Sequence, residues 1–468
     1  MFAAMRRHGK RTAFARLLAF VVTACAIHSG CASQMARSPY VKSYVDGQDF
    51  AAALEEIEQI DKGTSRLLYL YEKGLVLHYS ARYDESNEAL EEAERLYDDL
   101  YTKSLSRELG SLLTSDNIIQ YRGERFETAL VHYYKILNYL SISRPEEAVV
   151  ECRKLNNRLR TFADSGDSVY VNDPFLQYLT GMVYFEAGEV QDADVSLRVA
   201  LDTYNALEKR YGVDVPVSLY CDLIRCAETL GDEEAASRYR DAADSCGAPG
   251  PGERFGTVNV FLECGYVSYK VEENVVFPIY KNEVGEDTDV DEFARGLTLR
   301  YGQPVDTGLE LDYLLRIALP AMVPSPEPFV DAGVRVYVDG KPRRTRVQVV
   351  ENLDALAFEA FESHRGLIMV KTVSRALAKY LAKQGADKEN ALAGWLVNLF
   401  NVATEGADIR SWATLPQTIR MARLVLPEGT YDLEIILHNQ IGDEEESYAI
   451  KDVKVIPGRS TFLSYRIN

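Results

Sequence analysis

The stretch PFLQYLTGMVYFEAGEVQDADVSLRVALDTY, Pro174 to Tyr204, constrains the fold more than any other part of the chain. Its apolar residues recur with a helical period on both sides of Gly188, which marks a turn. Gly181 and Tyr184 fall on the first helix, and Ala193, Leu197 and Ala200 on the second. Small residues at 181, 193 and 200 let the two helix axes approach closely, and the larger residues fill the space between them. Such a pair buries only one face against its twin. It needs neighbours of the same kind on either side, so an array is required.

Further copies supply those neighbours. LYEKGLVLHYSARYDESNEALEEAERLY repeats the pattern with Gly74, Tyr83, Leu90 and Ala93, and with Ser86 at one small-residue position. YVDGQDFAAALEEI resembles a second-helix half. LVHYYKILNYLSISRPEEAVVECRKL keeps Tyr139, Ala148 and Leu155 but has Ser and Arg at the turn, and SLYCDLIRCAETLGDEEAASRYRDAA keeps Gly231. This spacing resembles the tetratricopeptide repeat. We read residues 40–245 as a helical solenoid of such units, irregularly spaced, with extra helices such as SLSRELGSLLTSDNII between them.

The resemblance implies a concave surface lined by first helices. Carried over position by position, that surface shows Tyr71, His78, Tyr79, Tyr133, Tyr134, Tyr178, Met182 and Phe185. An aromatic groove in an acidic protein suits a protein segment as ligand, because aromatic anchors give large contact area at low entropy cost. The alternative is that these rings pack against inserted helices or a second domain.

Cys246 to Gly256, CGAPGPGERFG, is dense in Gly and Pro and marks a linker at 246–256. Beyond it the apolar pattern alternates. TVNVFLEC, NVVFPIY, YLLRIALPAM, GVRVYVDGK, RVQVVENL and the segments after Ile419 read as strands, with an Asp-Gly hairpin in VDGKPR. Residues 257–468 are thus expected to form a β-sandwich-like domain with a helical insertion at about 353–404. The fold class is multidomain α+β. The last helix of the insertion, NALAGWLVNLFNVATE, is apolar over much of its circumference and requires burial.

The first thirty residues have the layout of a secretory signal. Arg6, Arg7, Lys10, Arg11 and Arg16 precede the eleven-residue apolar run Leu17 to Ile27, too short for a transmembrane span. SGCAS resembles a lipobox, with Cys31 as the lipid-attachment residue. VTAC offers Cys25 as the alternative, and plain cleavage after Ala26 is a third option. Residues 1–30 read as a signal peptide, and the expected home is the outer membrane, facing the periplasm, through a lipid anchor. Without them the chain has 47 Lys and Arg against 71 Asp and Glu, a net charge of −24. Such a chain repels nucleic acid. Five cysteines remain besides Cys31, and Cys226 with Cys246 is the disulfide expected first.

ALAKYLAK, NLFNVATEGADIRSWATLPQTIRMARLVLPEGTY, GERFETALVHYYKILNYL and NDPFLQYL together resemble a family of bacterial lipoproteins. Their members join a helical-repeat half to a β-rich half and carry a D-x-R-S-W-x-x-L-P segment, here Asp408, Arg410, Ser411, Trp412, Leu415 and Pro416. The resemblance implies architecture and location, and no activity comes with it. His28 departs from the usual lipobox. No G-x-S-x-G, H-E-x-x-H or phosphate-binding glycine loop occurs. The acidic run Gly285 to Glu292 lacks the spacing of a calcium loop. No catalytic residue, metal or cofactor is expected. The function expected is a non-catalytic, lipid-anchored envelope scaffold whose repeats bind an envelope protein. An extracytoplasmic hydrolase or glycan-processing enzyme using carboxylates of the C-terminal half is the alternative.

Overall fold

A computed structural model describes residues 38–60, 62–104, 120–164, 172–243, 246, 254–281, 283–284, 288–299, 310–326, 331–389, 406–438 and 444–467. The expected signal peptide, Cys25, Cys31, the apolar segment 390–405 and most of the Gly/Pro linker lie outside these residues.

Among the described residues, ten helices come first. They are α1 (38–46), α2 (Phe50–Ile57), α3 (Arg66–Tyr79), α4 (Tyr83–Ser104) and α5 (Arg125–Ser141), then α6 (Pro145–Asp164), α7 (Pro174–Glu186), α8 (Val190–Tyr211), α9 (Val217–Leu230) and α10 (Glu233–Ala242). They form five tetratricopeptide-like pairs, each closed by one residue in the left-handed region. That residue is Gln48, Ala81, Ser143, Gly188 or Gly231. Glycine takes this conformation without steric cost, and the other three carry a Cβ there. Side chains of Asp49, Asp173 and Asp232 accept from the backbone N–H three residues on and start α2, α7 and α10.

The close approach read from the sequence is present in two pairs. A Cβ on Gly74 would lie 2.5 Å from Leu90 Cδ2, and one on Gly181 2.5 Å from Leu197 Cδ2. Ala93 and Ala200, three residues beyond those leucines, are buried.

The described residues of the second half contain ten strands: β1 (Phe255–Cys264), β2 (Tyr269–Tyr280), β3 (Leu311–Val323), β4 (Asp331–Val338), β5 (Lys341–Arg346), β6 (Gln348–Asn352), β7 (Thr418–Pro427), β8 (Gly429–His438), β9 (Glu444–Val455) and β10 (Ser460–Ile467). One four-stranded sheet has the order β10-β1-β7-β6, with β1 and β10 parallel, and another has the order β5-β4-β8-β9. Strand alternation sends Val258, Val260, Leu262 and Cys264 of β1 into one apolar core with Val334, Val336, Leu433 and Ile435 of the other sheet. The intervening Phe261 points the opposite way, into the core of the repeats.

A third group is smaller. The hairpin β2–β3 shares a core with α11 (Val290–Leu299) and the distal part of α12 (Leu353–Glu389). The first turns of α12, with Leu353, Leu356 and Ala357, belong to the core of the repeats instead. Within the described residues the helical insertion is thus one 37-residue helix. The acidic run has a local role: Asp289 Oδ1 accepts from the N–H of Asp291 and Glu292 and caps α11.

Candidate functional site: the seam between repeats and strands

The first helices α3, α5, α7 and α9 do form one surface carrying the aromatic residues, but that surface is not open. Tyr71, Tyr133, Tyr134 and Tyr178 are each 0% exposed, and His78 and Met182 are buried. Tyr79 and Phe185 are half-buried, and the Arg225 guanidinium lies over the Phe185 ring. The expectation of an exposed partner groove is therefore corrected. The chain's own C-terminal half fills the concavity, because these rings and the outer face of the β10-β1-β7-β6 sheet are two apolar surfaces that cover each other.

Glu263 of β1 sits at the centre. Its Oε2 accepts from the Tyr79 hydroxyl at 2.6 Å and that of Tyr134 at 3.0 Å. Its Oε1 accepts from Tyr133 at 3.1 Å and Ser464 at 2.8 Å. A carboxylate offers about four lone-pair positions. All four are taken, so this buried acid is saturated and has no position left for a substrate proton. Burial and the Glu263 charge together push the three tyrosine hydroxyls well up.

His78 continues the network. Its Nδ1 lies 2.6 Å from Asn138 Oδ1, and its Nε2 lies 3.4 Å from Ser464 Oγ. Asn138 donates in turn to Ser86 and Asn87. Burial holds the imidazole below its ordinary pKa.

The segment from Gly406 to Gln417 has no helix or strand. Its buried N–H groups must therefore find partners outside its own regular structure, and two acids on the first helices serve those of Trp412 and Ala413. Trp412 N–H donates to Glu127 Oε1 at 2.9 Å, and Ala413 N–H donates to Glu72 Oε1 at 3.0 Å. Thr414 Oγ1 donates to the other Glu72 oxygen. The Trp412 ring stacks on Tyr71, with centroids 4.5 Å apart and 16° between planes. Arg410 pairs in two-pronged fashion with Asp408 and donates to the Thr64 carbonyl at 3.0 Å. Leu415 and Pro416 are buried.

The Asp-x-Arg-Ser-Trp segment is thus a joint. Trp412 fills the repeat concavity, stacked on Tyr71 within the core of the repeats. Ser411 is half-buried, and the rings of His78, His132 and His364 bond elsewhere.

The seam continues at both ends. Arg423 of β7 pairs with Asp222 of α9 at 2.6 Å, and the Tyr178 hydroxyl donates to the same carboxylate at 3.0 Å. The Tyr204 hydroxyl donates to the Val350 carbonyl at 2.8 Å. At the other end Lys42 of α1 lies over the rings of Tyr266 and Tyr269, and burial brings its pKa down to about 8.

Sequence reasoning missed Glu72, Glu127 and Glu263. Each is a lone acid on a face that is otherwise apolar, in LLYLYEKGLVLHY, RFETALVHYY and TVNVFLEC. That is the signal by which they are findable, since acids are seldom fully buried without partners.

A second cluster lies between α4, α5 and α6. Glu94, His132 and Glu151 bring ligand-type atoms within 4.8 Å of one another, a set that could hold a metal. The Lys135 ammonium occupies the place of a cation, 2.9 Å from Glu94 and 3.0 Å from Glu151, with Lys154 beside it. Against the opposing effect of burial, the bond to His132 and then the charges of Lys135 and Lys154 hold the Glu151 carboxyl down to about 2.

The expected Cys226–Cys246 disulfide is also corrected. Cys246 bonds Cys221, and Cys226 is free and fully buried. Five residues along α9 turn Cys226 to the opposite side of the helix, into the core.

No family model matches the chain, and no curated protein matches it. Solved structures with similar backbones include PilF of Pseudomonas aeruginosa, 16% identical, covering 44% of this chain and 72% of that one with a TM-score of 0.29. They also include MamA, 12% identical, covering 46% of this chain and 98% of that one with a TM-score of 0.28.

Proposed function

We propose that this chain is a non-catalytic, lipid-anchored protein of the bacterial cell envelope, outer-membrane attached and periplasm-facing, that works as a protein-interaction scaffold. The observation that carries the reading is the filled concavity. The repeats spend their ligand-binding face on the chain's own strands. Their role is to hold the β-sandwich-like half rigidly and present it, and an envelope partner then meets the surfaces left outside the seam.

The saturated Glu263, whose four lone-pair positions are all taken, favours this reading over the hydrolase alternative. Location rests on the basic N-terminus, the apolar run and SGCAS. The Cys221–Cys246 disulfide agrees with an oxidising compartment.

Two measurements test the proposal on native material. Mass spectrometry of the mature N-terminus should find an acylated Cys31, and an unmodified start would remove the anchor. Cross-linking in intact envelopes should join a partner to lysines outside the seam, such as Lys341 or Lys451. Cross-links to the first helices would show that the concavity is open after all.

A further inference from the structure

Strand β5, with the sequence KPRRTR, carries four Lys and Arg in six residues of a chain whose net charge is −19. It is one edge of the β5-β4-β8-β9 sheet, and every residue of it except Thr345 is exposed. Side chains alternate across a strand, so Lys341 and Arg343 flank one side of the edge, and Arg344 and Arg346 the other. Val347 N–H donates to the Ala332 carbonyl at 3.2 Å. An antiparallel ladder alternates from there, so the N–H and carbonyl of Arg346 point away from β4. Tyr337 stands opposite Pro342 on β4, is 56% exposed, and adds a ring beside the edge. Asp331 pairs with Arg346 at 3.3 Å, but the arginine side chain is 84% exposed, and such a surface pair holds weakly.

Basic residues and a proline on an edge also serve to keep the strands of neighbouring molecules apart. That device works by like charge. In an acidic chain a basic edge attracts the acids of its neighbours, so its sign is wrong for the purpose. The opposite edge, β9, is interrupted instead, by a bulge between Ile450 and Val453 with Asp452 at φ 57°. The β4–β5 pairing runs without a break.

We propose that β5 is the strand on which the envelope partner docks, and that the partner lays an extended acidic segment along it. The proposal rests on the scaffold reading above and names the surface that reading leaves open. An extended chain beside the edge lies within reach of both rows of basic side chains, whereas a flat anionic membrane meets one face only. At physiological salt, charges more than ~8 Å apart are largely screened, so distant acids of this chain do not keep an acidic segment from a contact at strand spacing, about 4.8 Å. A second copy of the chain fits less well. When the sheet is continued in its own register, the row Arg343–Val336–Leu433 ends at Ile450 of β9, which sets Arg343 of the next copy beside Lys451.

The test uses the full chain and a fluorescein-labelled octapeptide of alternating Glu and Thr, followed by fluorescence anisotropy. The wild type is expected to bind this peptide, more weakly as salt rises, and not to bind the Lys and Thr counterpart. Arg343→Glu with Arg346→Glu should weaken binding about tenfold or more at an unchanged thermal midpoint. Lys451→Glu with Lys454→Glu changes the net charge equally on the opposite edge and should leave binding as it is. If the first double variant does not fold, Lys341→Glu with Arg343→Glu takes its place under the same expectation. Absence of binding by the wild type overturns the proposal, and so does an equal loss in the two charge-matched variants. Phosphatidylglycerol vesicles, or a second copy of the chain, binding β5 where the peptide does not would overturn it as well. Envelope cross-links at Lys451 that survive Arg343→Glu with Arg346→Glu, together with a peptide that fails to bind, would leave the scaffold reading standing and remove β5 from it. Loss of every cross-link outside the seam in the wild type would remove both.

Discussion

Replacing Tyr134 by Phe removes one hydroxyl and nothing else. The ring keeps its edge contact with Tyr133 at 4.8 Å and its contacts with His78 and Trp412. What is lost is the 3.0 Å bond to Glu263, whose Oε2 then has only the Tyr79 hydroxyl. Glu263 is 0% exposed, so water has no direct route to the vacated lone pair. Hydrogen bonds to charged groups contribute about 1.5–3 kcal/mol, and that is the expected loss for Tyr134→Phe. Tyr134→Ala also empties a fully packed ring site, which typically costs about 3–5 kcal/mol by itself. The two losses together could leave little stability in a chain of ordinary margin. Equilibrium urea unfolding of both variants measures the difference. A double-mutant cycle with Glu263→Gln should find a coupling of about 1 kcal/mol or more. If Tyr134→Ala changes the midpoint no more than a surface substitution would, the ring is solvent-facing and the filled concavity is wrong.

Two further outcomes follow from packing and from the disulfide. Gly181→Ala gains about 1 kcal/mol in helix propensity, yet its Cβ meets Leu197, so a net loss of about 1–2 kcal/mol is expected. Leu197→Ala should rescue part of it, and additive effects in thermal unfolding would contradict the contact. Peptide mapping under non-reducing conditions should recover Cys221 linked to Cys246 with Cys226 alkylatable only after unfolding, and a Cys226–Cys246 peptide would refute the pairing.

The helix pairs were legible because their information is local. Gly181, Ala193 and Ala200 lie within twenty residues, and a helical period needs no long-range knowledge. Turn residues were plainest where they are glycine, at Gly188 and Gly231. Repeat spacing alone placed the Ser143 turn, and Gln48 and Ala81 adopt the same left-handed backbone without announcing it. Strand alternation showed where β1 lies, but not that Phe261 and Glu263 face the repeats, because nothing local says what covers a face. The rings of Tyr71, Tyr133 and Tyr134 looked like a groove for the same reason. Their partners, Trp412 and Glu263, stand more than a hundred residues away in the chain. The cysteine pairing failed on helix phase, since Cys221 and Cys226 are both within reach of Cys246 in sequence and only one faces it.

The central claim is that the Trp412 segment is docked in the repeat concavity, and amide hydrogen exchange tests it most directly. Residues 406–417 have no helix or strand, so regular structure cannot protect their amides. Docking alone can, through Trp412 N–H on Glu127 and Ala413 N–H on Glu72. Exchange of the full chain, resolved to single amides, should find these two N–H groups as slow as those of β1, opening only with global unfolding. Exchange of both at the rate of a solvated loop would contradict the account.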